Sequence, residues 1–229
     1  MVIFLVRKKE LFGGTIRFKV LIKELNENLK KLSALTIKMM EEGISSLLED
    51  DELLLEKLIA DLETVHDYTA DLEKSVISSI ALHQPFAKNL RYIICSLKIS
   101  NEIHRSAHDA VHIARSSKFI GNDLQPKLIK KIGKLATKSL TMLRKSVDAF
   151  ISMQALPVDN WVKLDDEVDN FHDELIEEIT QLMMDDKKRI RSGISLILTT
   201  RYIERIADHA CNIVEESIYV VTSKRVKID

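Results

Sequence analysis

Residues 203–213 read IERIADHACNI and residues 103–113 read IHRSAHDAVHI, so the chain carries one pattern twice. At a shift of 100 residues, isoleucine, arginine, two alanines and a final isoleucine recur at matching positions. A second match lies one segment earlier, where Val65-His66 corresponds to Val168-Asp169. We interpret the two stretches as copies of one structural unit, because a recurring pattern at a fixed spacing is typical of duplicated architectures.

The composition around this repeat is that of a helical protein. Of the 229 residues, 45% are hydrophobic and 30% are charged, but only 6 are glycine and 3 are proline. So few turn-forming residues argue against a β-sandwich or a doubly wound α/β domain. The formal net charge of −1 gives no reason to expect nucleic acid or an anionic membrane as a partner. Cys95 and Cys211 lie far apart and form no CxxC, which excludes a disulfide scaffold and favours a reducing compartment.

Six helical segments follow from the apolar spacing and the few helix breakers. Their predicted bounds are 18–48, the Asp50-Asp51 turn to 82, 85–117, 126–153, 158–184 and 188–221. Pro85 fits the first turn of the third segment, and Gly121-Asn122-Asp123 is the strongest break. Helices of this length are typical of bundles. The sequence therefore predicts an all-α fold of two tandem three-helix bundles, with units at 18–120 and 121–229.

Residues 1–17 lie outside the repeat and are predicted to be a leader. Met1–Val6 is apolar, but Arg7, Lys8 and Lys9 follow it, whereas a signal peptide carries its charges before the apolar run. Six residues are too few to cross a bilayer, and no later segment has the roughly 18 uncharged residues that a spanning helix needs. We therefore expect a cytoplasmic protein.

The second copy places carboxylates on two neighbouring helices. Glu204 and Asp208 are four residues apart and share one helix face, and Asp165 and Asp169 repeat that spacing on the preceding helix. If these helices pack antiparallel, the four carboxylates converge and a bound cation would relieve their repulsion. Oxygen ligands suit Mg, Mn or Fe. The alternative is an ordinary solvated charged face.

The first copy has histidines at the matching positions. His104, His108 and His112 follow one another at four-residue spacing, and His66 stands where the second copy has Asp169. Imidazoles at this spacing can bind one metal ion and prefer Zn, Ni, Cu or Fe. We predict Zn at this face and expect the metal to leave below about pH 6, because imidazoles protonate near pH 6.5. The alternative is four ordinary polar side chains.

No sequence motif indicates catalysis. The chain has no glycine-rich phosphate loop, no nucleophile elbow and no HExxH. Di-iron enzymes of the helical-bundle type usually pair two Glu-x-x-His motifs with two further glutamates, and neither stripe contains such a motif. We expect a protein that is not an enzyme. A di-metal carboxylate enzyme and a metal-free structural adaptor remain the alternatives.

These motifs resemble those of the PhoU family of phosphate-signalling proteins. Residues 203–213 are similar to its segment ERIGDHAxNIA, residues 84–91 (QPFAKNLR) to its QPxAxDLR, and residues 165–169 (DDEVD) to its DxxVD. The resemblance covers the chain from about residue 18 onward. It implies two tandem three-helix bundles with multinuclear iron or zinc clusters on the motif faces.

Applied residue by residue, the resemblance implies the family's site in the second unit and an altered site in the first unit. The second-unit site would use Asp165, Asp169, Glu204 and Asp208. In the first unit His104 and His108 replace the two acids of the family motif, His66 replaces Asp or Asn, and Leu62 occupies the position of Asp165. We therefore expect a mononuclear or dinuclear histidine site there, or no site, in place of a carboxylate-bridged iron cluster.

The resemblance also implies a function and partners. The family acts as a negative regulator of phosphate uptake, beside the ATPase of the phosphate ABC transporter and, in many bacteria, beside a phosphate-sensing histidine kinase. The metal would neutralise buried carboxylates or create a phosphate-binding surface. Nucleic acid is not an expected partner, and membrane association is expected only through partner proteins. Exposed apolar stripes would permit a homodimer.

Overall fold

The computed structural model describes residues 16–47, 52–120 and 125–228, which form six long α-helices. Their bounds are α1 Ile16–Ser45, α2 Glu52–His83, α3 Ala87–Ser117, α4 Pro126–Ile151, α5 Val158–Asp185 and α6 Ile190–Thr222. A 3₁₀ turn at Lys187–Arg189 joins α5 to α6. There is no strand in these three stretches, which confirms the all-α prediction. None of the described helices is both long and apolar enough to cross a bilayer.

The predicted helix bounds agree with the structure to within a few residues. Helix α1 begins at Ile16, so the last two residues of the predicted leader are helical. Residues 1–15, the Asp50-Asp51 turn and the Gly121-Asn122-Asp123 break lie outside the described residues. The division into units at 18–120 and 121–229 stays a prediction.

The turn between α2 and α3 differs from the prediction. Phe86 precedes the first residue of α3, so Pro85 lies before the helix and not in its first turn. Proline disfavours the right-handed helical conformation in the residue before it. Gln84, just before this proline, and Ala87, the first residue of α3, both have positive φ values, 42° and 50°. The chain reverses direction within these residues.

The helices pack as two three-helix bundles. Helices α1, α2 and α3 contact one another, and so do α4, α5 and α6. Each helix buries an apolar stripe, as Leu25, Leu29 and Leu32 do in α1. Tyr92 of α3 stacks on Phe150 of α4 with ring centroids 4.6 Å apart, so one aromatic core crosses both bundles.

Helices α3 and α6 run antiparallel and form the seam between the bundles. Arg91, near the start of α3, donates a hydrogen bond to the carbonyl of Val220, near the end of α6 (3.1 Å). In the middle of the seam, Arg205 pairs with Asp109 at 3.3 Å. The two motif stretches therefore face each other across the seam.

Equivalent positions of the two copies exchange partners across this seam. Asn212 donates a hydrogen bond to Glu102 at 3.2 Å, and His112 stacks on Tyr202 with ring centroids 5.0 Å apart. These contacts correspond, because positions 102 and 202, and 112 and 212, match in the repeat. Ala107 and Ala207 lie midway between the pairs and are fully buried. Their small side chains allow close packing of the two helices.

Candidate metal centres

The four carboxylates of the second unit converge between α5 and α6. We call Asp165, Asp169, Glu204 and Asp208 the carboxylate cluster. Asp165 and Glu204 are buried, each 6% exposed, while Asp169 and Asp208 are half-buried. The antiparallel arrangement is fixed near one end by Cys211, whose thiol lies 3.3 Å from an Asp165 oxygen. Asp208, Asp169 and Asp165 all lie near enough to Glu204 to act on its charge.

Glu204 is the electrostatic centre of this cluster. Burial raises its pKa to about 7, and repulsion from Asp208, Asp169 and Asp165 adds to that effect. Arg201 opposes the rise, because its guanidinium lies 2.5 Å from Glu204 Oε1. The other oxygen, Oε2, is buried and accepts no hydrogen bond from any described residue. A cation would compensate both the repulsion and this uncompensated oxygen.

His172 belongs to the same site and was missed in the sequence analysis. It follows Asp169 by three residues on α5, is 6% exposed, and has a buried Nε2 with no hydrogen-bond partner among the described residues. Burial lowers its pKa, Arg201 lowers it further, and Asp173 and Asp208 act in the opposite direction. The spacing of positions 165, 169 and 172 on one face of α5 is the signal that would have identified it.

Three of the four predicted histidines of the first unit also come together. The ring centroids of His66 and His104 are 5.8 Å apart, and those of His104 and His108 are 4.8 Å apart. Two imidazoles on one tetrahedral zinc ion have ring centres roughly 5 Å apart, given Zn–N bonds of about 2 Å. Burial lowers the pKa of His104, and the neighbouring His108 and His66 lower it further. We call these three residues the histidine cluster.

His112 lies apart from the histidine cluster, stacked on Tyr202 of α6. Burial lowers its pKa, although Asp109 acts in the opposite direction. Leu62, at the position that matches Asp165, packs against the hydrophobic core. The first unit therefore groups three imidazoles without an adjacent carboxylate at that position.

Neither cluster is closed around a metal in its present side-chain positions. Among the described residues, no three His, Cys, Asp or Glu side chains surround one metal-sized point. The donor types nevertheless fit. The second unit supplies carboxylate oxygens and one imidazole, and the first unit supplies imidazoles.

A partly buried ionic network lies in the seam, and two of its members adjoin the clusters in the sequence. His209 Nδ1 lies 2.7 Å from Glu102, and its Nε2 lies 3.7 Å from Asp109, which pairs with Arg205. Burial alone would lower the pKa of His209, but Asp109 and Glu102 outweigh it and raise that pKa. Asp109 directly follows His108 in the sequence, and His209 directly follows Asp208. The network was not predicted from the sequence.

The fold and the two clusters define a class of protein. It is an all-α chain built from a duplicated three-helix bundle, with His, Asp or Glu side chains of the types that can bind metal on the second and third helices of each copy. A family that accounts for this arrangement has to match both copies of the bundle.

The chain belongs to the PhoU family. The family model described as "PhoU domain" matches residues 29–117 and 132–217, once in each bundle. A phosphate-specific transport system accessory protein PhoU homologue of Clostridium acetobutylicum is 27% identical over 209 residues, covering 91% of this chain and 95% of that protein. PhoU homologue 1 of Methanothermobacter thermautotrophicus is 28% identical over 211 residues, covering 92% and 96%.

Two solved structures share the fold. The crystal structure of PhoU from Pseudomonas aeruginosa superimposes with a TM-score of 0.83 at 23% identity, covering 90% of this chain and 100% of that one. The phosphate transport system regulatory protein PhoU from Streptococcus pneumoniae also gives 0.83, at 22% identity, covering 92% and 99%. The predicted architecture of two tandem three-helix bundles is confirmed.

Proposed function

We propose that this chain is a negative regulator of phosphate uptake and phosphate homeostasis. The observation that carries this proposal is the match of both bundles to one family whose full-length relatives are named as accessory proteins of phosphate-specific transport. The chain would act in the cytoplasm without catalysis, docked on the ATPase of the phosphate ABC transporter and on a phosphate-sensing histidine kinase. Its exposed apolar side chains on α6, Ile190, Ile194 and Leu198, support docking on a partner or a second copy.

The carboxylate cluster would hold Fe, Mn or Mg in this proposal. Asp165, Asp169, Glu204 and Asp208 supply oxygen ligands, and His172 supplies a nitrogen ligand. The support is the buried Glu204 Oε2 and the buried His172 Nε2, both without a hydrogen-bond partner among the described residues. A metal ion there would neutralise the cluster and, with open coordination positions, accept phosphate oxygens.

The histidine cluster would hold Zn. His66, His104 and His108 supply three nitrogen ligands and leave one tetrahedral position for water or an oxyanion. The support is the ring spacing of 4.8 and 5.8 Å and the lowered pKa of His104, which favours the neutral imidazole that binds a metal. We assign His112 to the seam, since its ring stacks on Tyr202.

Metal content measured by mass spectrometry tests both sites. His104→Ala/His108→Ala should lose Zn and keep the metal of the second unit, and Glu204→Ala/Asp208→Ala should do the reverse. The matched control is Glu174→Ala/Glu177→Ala, which removes two exposed carboxylates of α5 and should change nothing. Absence of metal in every sample after incubation with Zn or Fe, with helicity intact, would favour the metal-free adaptor.

Phosphate uptake tests the regulatory role. Cells without the gene should take up more phosphate, and the wild-type gene should restore normal uptake. The Glu204→Ala/Asp208→Ala variant should restore it incompletely, while the Glu174→Ala/Glu177→Ala control restores it fully. Uptake that does not respond to the gene would contradict the proposed regulator, whatever the metal content.

A further inference from the structure

The exposed surface of α4 carries an unusual excess of positive charge. Of its ten exposed residues, six are basic and only Asp148 is acidic. We call the six basic residues the α4 basic face: Lys127, Lys130, Lys134, Lys138, Arg144 and Lys145. The formal net charge of −1 conceals this face, because the opposite charge lies on another helix.

The opposite charge lies mainly on the neighbouring helix α5. Helix α4 contains seven Lys or Arg and one Asp, whereas α5 contains ten Asp or Glu and one Lys. The two helices pack side by side in the second bundle. The protein therefore presents a strongly basic surface next to a strongly acidic one.

Most of the α4 basic face is not neutralised by ion pairs. Lys138 pairs with Glu167 at 2.6 Å, and Arg144 pairs with Glu41 at 2.5 Å. Across the part of the chain that the structure describes, the other four lysines have no carboxylate within 4 Å: Lys127, Lys130, Lys134 and Lys145. Four ammonium groups thus remain for an external anion.

We propose that the α4 basic face binds the anionic surface of a lipid bilayer. A cluster of four to eight lysines on one helix face is the pattern that binds anionic headgroups, with each lysine contributing roughly fivefold to partition. Five of the six basic residues are lysines, whose flexible point charges suit a fluid layer of phosphates. Neither metal cluster uses a residue of α4, so the bilayer and the metals do not compete for side chains.

The composition of the face argues against a protein partner. Protein interfaces are depleted in lysine and depend on aromatic or arginine anchors. No large hydrophobic residue of α4 is exposed. A shallow depression between Lys130, Lys134 and Lys138 is lined by Thr137 and the half-buried Phe171 of α5. Binding would therefore be electrostatic, without insertion into the hydrocarbon.

Co-sedimentation with lipid vesicles tests the proposal. The protein should bind vesicles of phosphatidylglycerol mixed with phosphatidylcholine, should not bind phosphatidylcholine alone, and should be released by salt. Lys130→Gln/Lys134→Gln should weaken binding roughly 25-fold, as expected from about fivefold for each of two lysines. Lys130→Arg/Lys134→Arg should bind like the wild type. All four substitutions are at exposed positions, so circular dichroism should be unchanged.

The matched control is Lys163→Gln/Lys187→Gln, which removes two exposed lysines elsewhere and should bind like the wild type. Equal weakening in this control would overturn the proposal, as would equal binding to phosphatidylcholine alone or no binding at all. Binding of duplex DNA as tight as binding of the vesicles, at the same salt, would replace the lipid assignment with a general polyanion surface.

Discussion

The histidine cluster and the carboxylate cluster occupy equivalent places in the two bundles but differ in charge and exposure. His104 and Glu204, and His108 and Asp208, match in the repeat. His66 and His108 are exposed, while Asp165 and Glu204 are buried. One cluster consists of three imidazoles, and the other concentrates four acidic side chains, of which Glu204 has a pKa raised to about 7 by burial and by its acidic neighbours.

The duplicated backbone sets the positions of these side chains, and the residue types at those positions determine the chemistry. The same pair of helices presents nitrogen-donor side chains in one bundle and mainly oxygen donors in the other, so the two proposed sites should select different classes of metal. The carboxylate cluster would have the greater need of a cation, because buried carboxylates without one destabilise the fold.

Removing an ion pair between α3 and α6 should have the largest effect on the free energy of unfolding, because these two helices carry residues of both clusters. Asp109→Ala should lower the free energy of unfolding by about 3 kcal/mol, since it removes a buried carboxylate that pairs with the half-buried Arg205 and lies 3.7 Å from the buried His209, which keeps only Glu102. Urea unfolding measures the change. Asp173→Ala, at an exposed position of α5, is the control. A loss below about 1 kcal/mol for Asp109→Ala would contradict a structural role for the network.

Replacing the histidine cluster by carboxylates should change which metal this site binds. In a Glu204→Gln/Asp208→Asn background, His66→Asp/His104→Glu/His108→Asp should weaken Zn binding by about 100-fold, or about 2.7 kcal/mol, and introduce binding of Mn. Isothermal titration calorimetry measures both affinities. The neutral triple variant His66→Asn/His104→Gln/His108→Asn should bind neither metal. Unchanged Zn affinity in the acidic variant would show that the histidines are not the ligands.

Removing one buried charge should stabilise the metal-free protein. Glu204→Gln should raise the free energy of unfolding in chelator by about 1 to 2 kcal/mol at about pH 8, and by little at about pH 5. The native pKa of Glu204 is raised from 4.5 to about 7, so the native state binds more protons in that window and wild-type stability falls as pH rises through it. Glu174→Gln should show no such pH dependence, and a pH-independent gain for Glu204→Gln would rule out this origin.

Acid should release metal from the histidine cluster with a steeper pH dependence than a single titrating group would give. In Glu204→Ala/Asp208→Ala, Zn content should fall below about pH 6, because protons compete for each imidazole with about a tenfold loss per pH unit. Burial lowers the pKa of His104, so the loss at that ligand begins below its ordinary value. Mass spectrometry at pH values above and below this point measures the effect. Zn content that stays constant would exclude imidazole ligands.

The helices and their pairing were predictable because the signals are local. Apolar spacing along one helix determines which face is buried, and the repeat at 100 residues indicated that the two bundles are copies. The convergence of Asp165 with Glu204 followed from antiparallel packing of consecutive helices. The turn at Pro85 was less predictable, because proline is compatible both with the first turn of a helix and with the residues just before the helix begins.

The remaining features depend on contacts between distant helices. His112 has the same spacing as His104 and His108, but it faces Tyr202 because α6 packs against that part of α3. His172 shares a face of α5 with Asp165 and Asp169, but its position near Arg201 and Asp208 depends on how α6 packs against that face. The α4 basic face is present in the sequence, but net charge averages it with the acids of α5.

The exchanged contacts across the seam are those of an isologous dimer contained in one chain. Glu102 meets Asn212 as Tyr202 meets His112, around the central alanines Ala107 and Ala207. In a dimer of identical subunits, any substitution appears twice, so both sites would have to be alike. A fused chain removes this constraint. One half is free to acquire histidines while the other keeps its acids, so a single gene product would offer the two proposed metal sites in a fixed ratio of one to one.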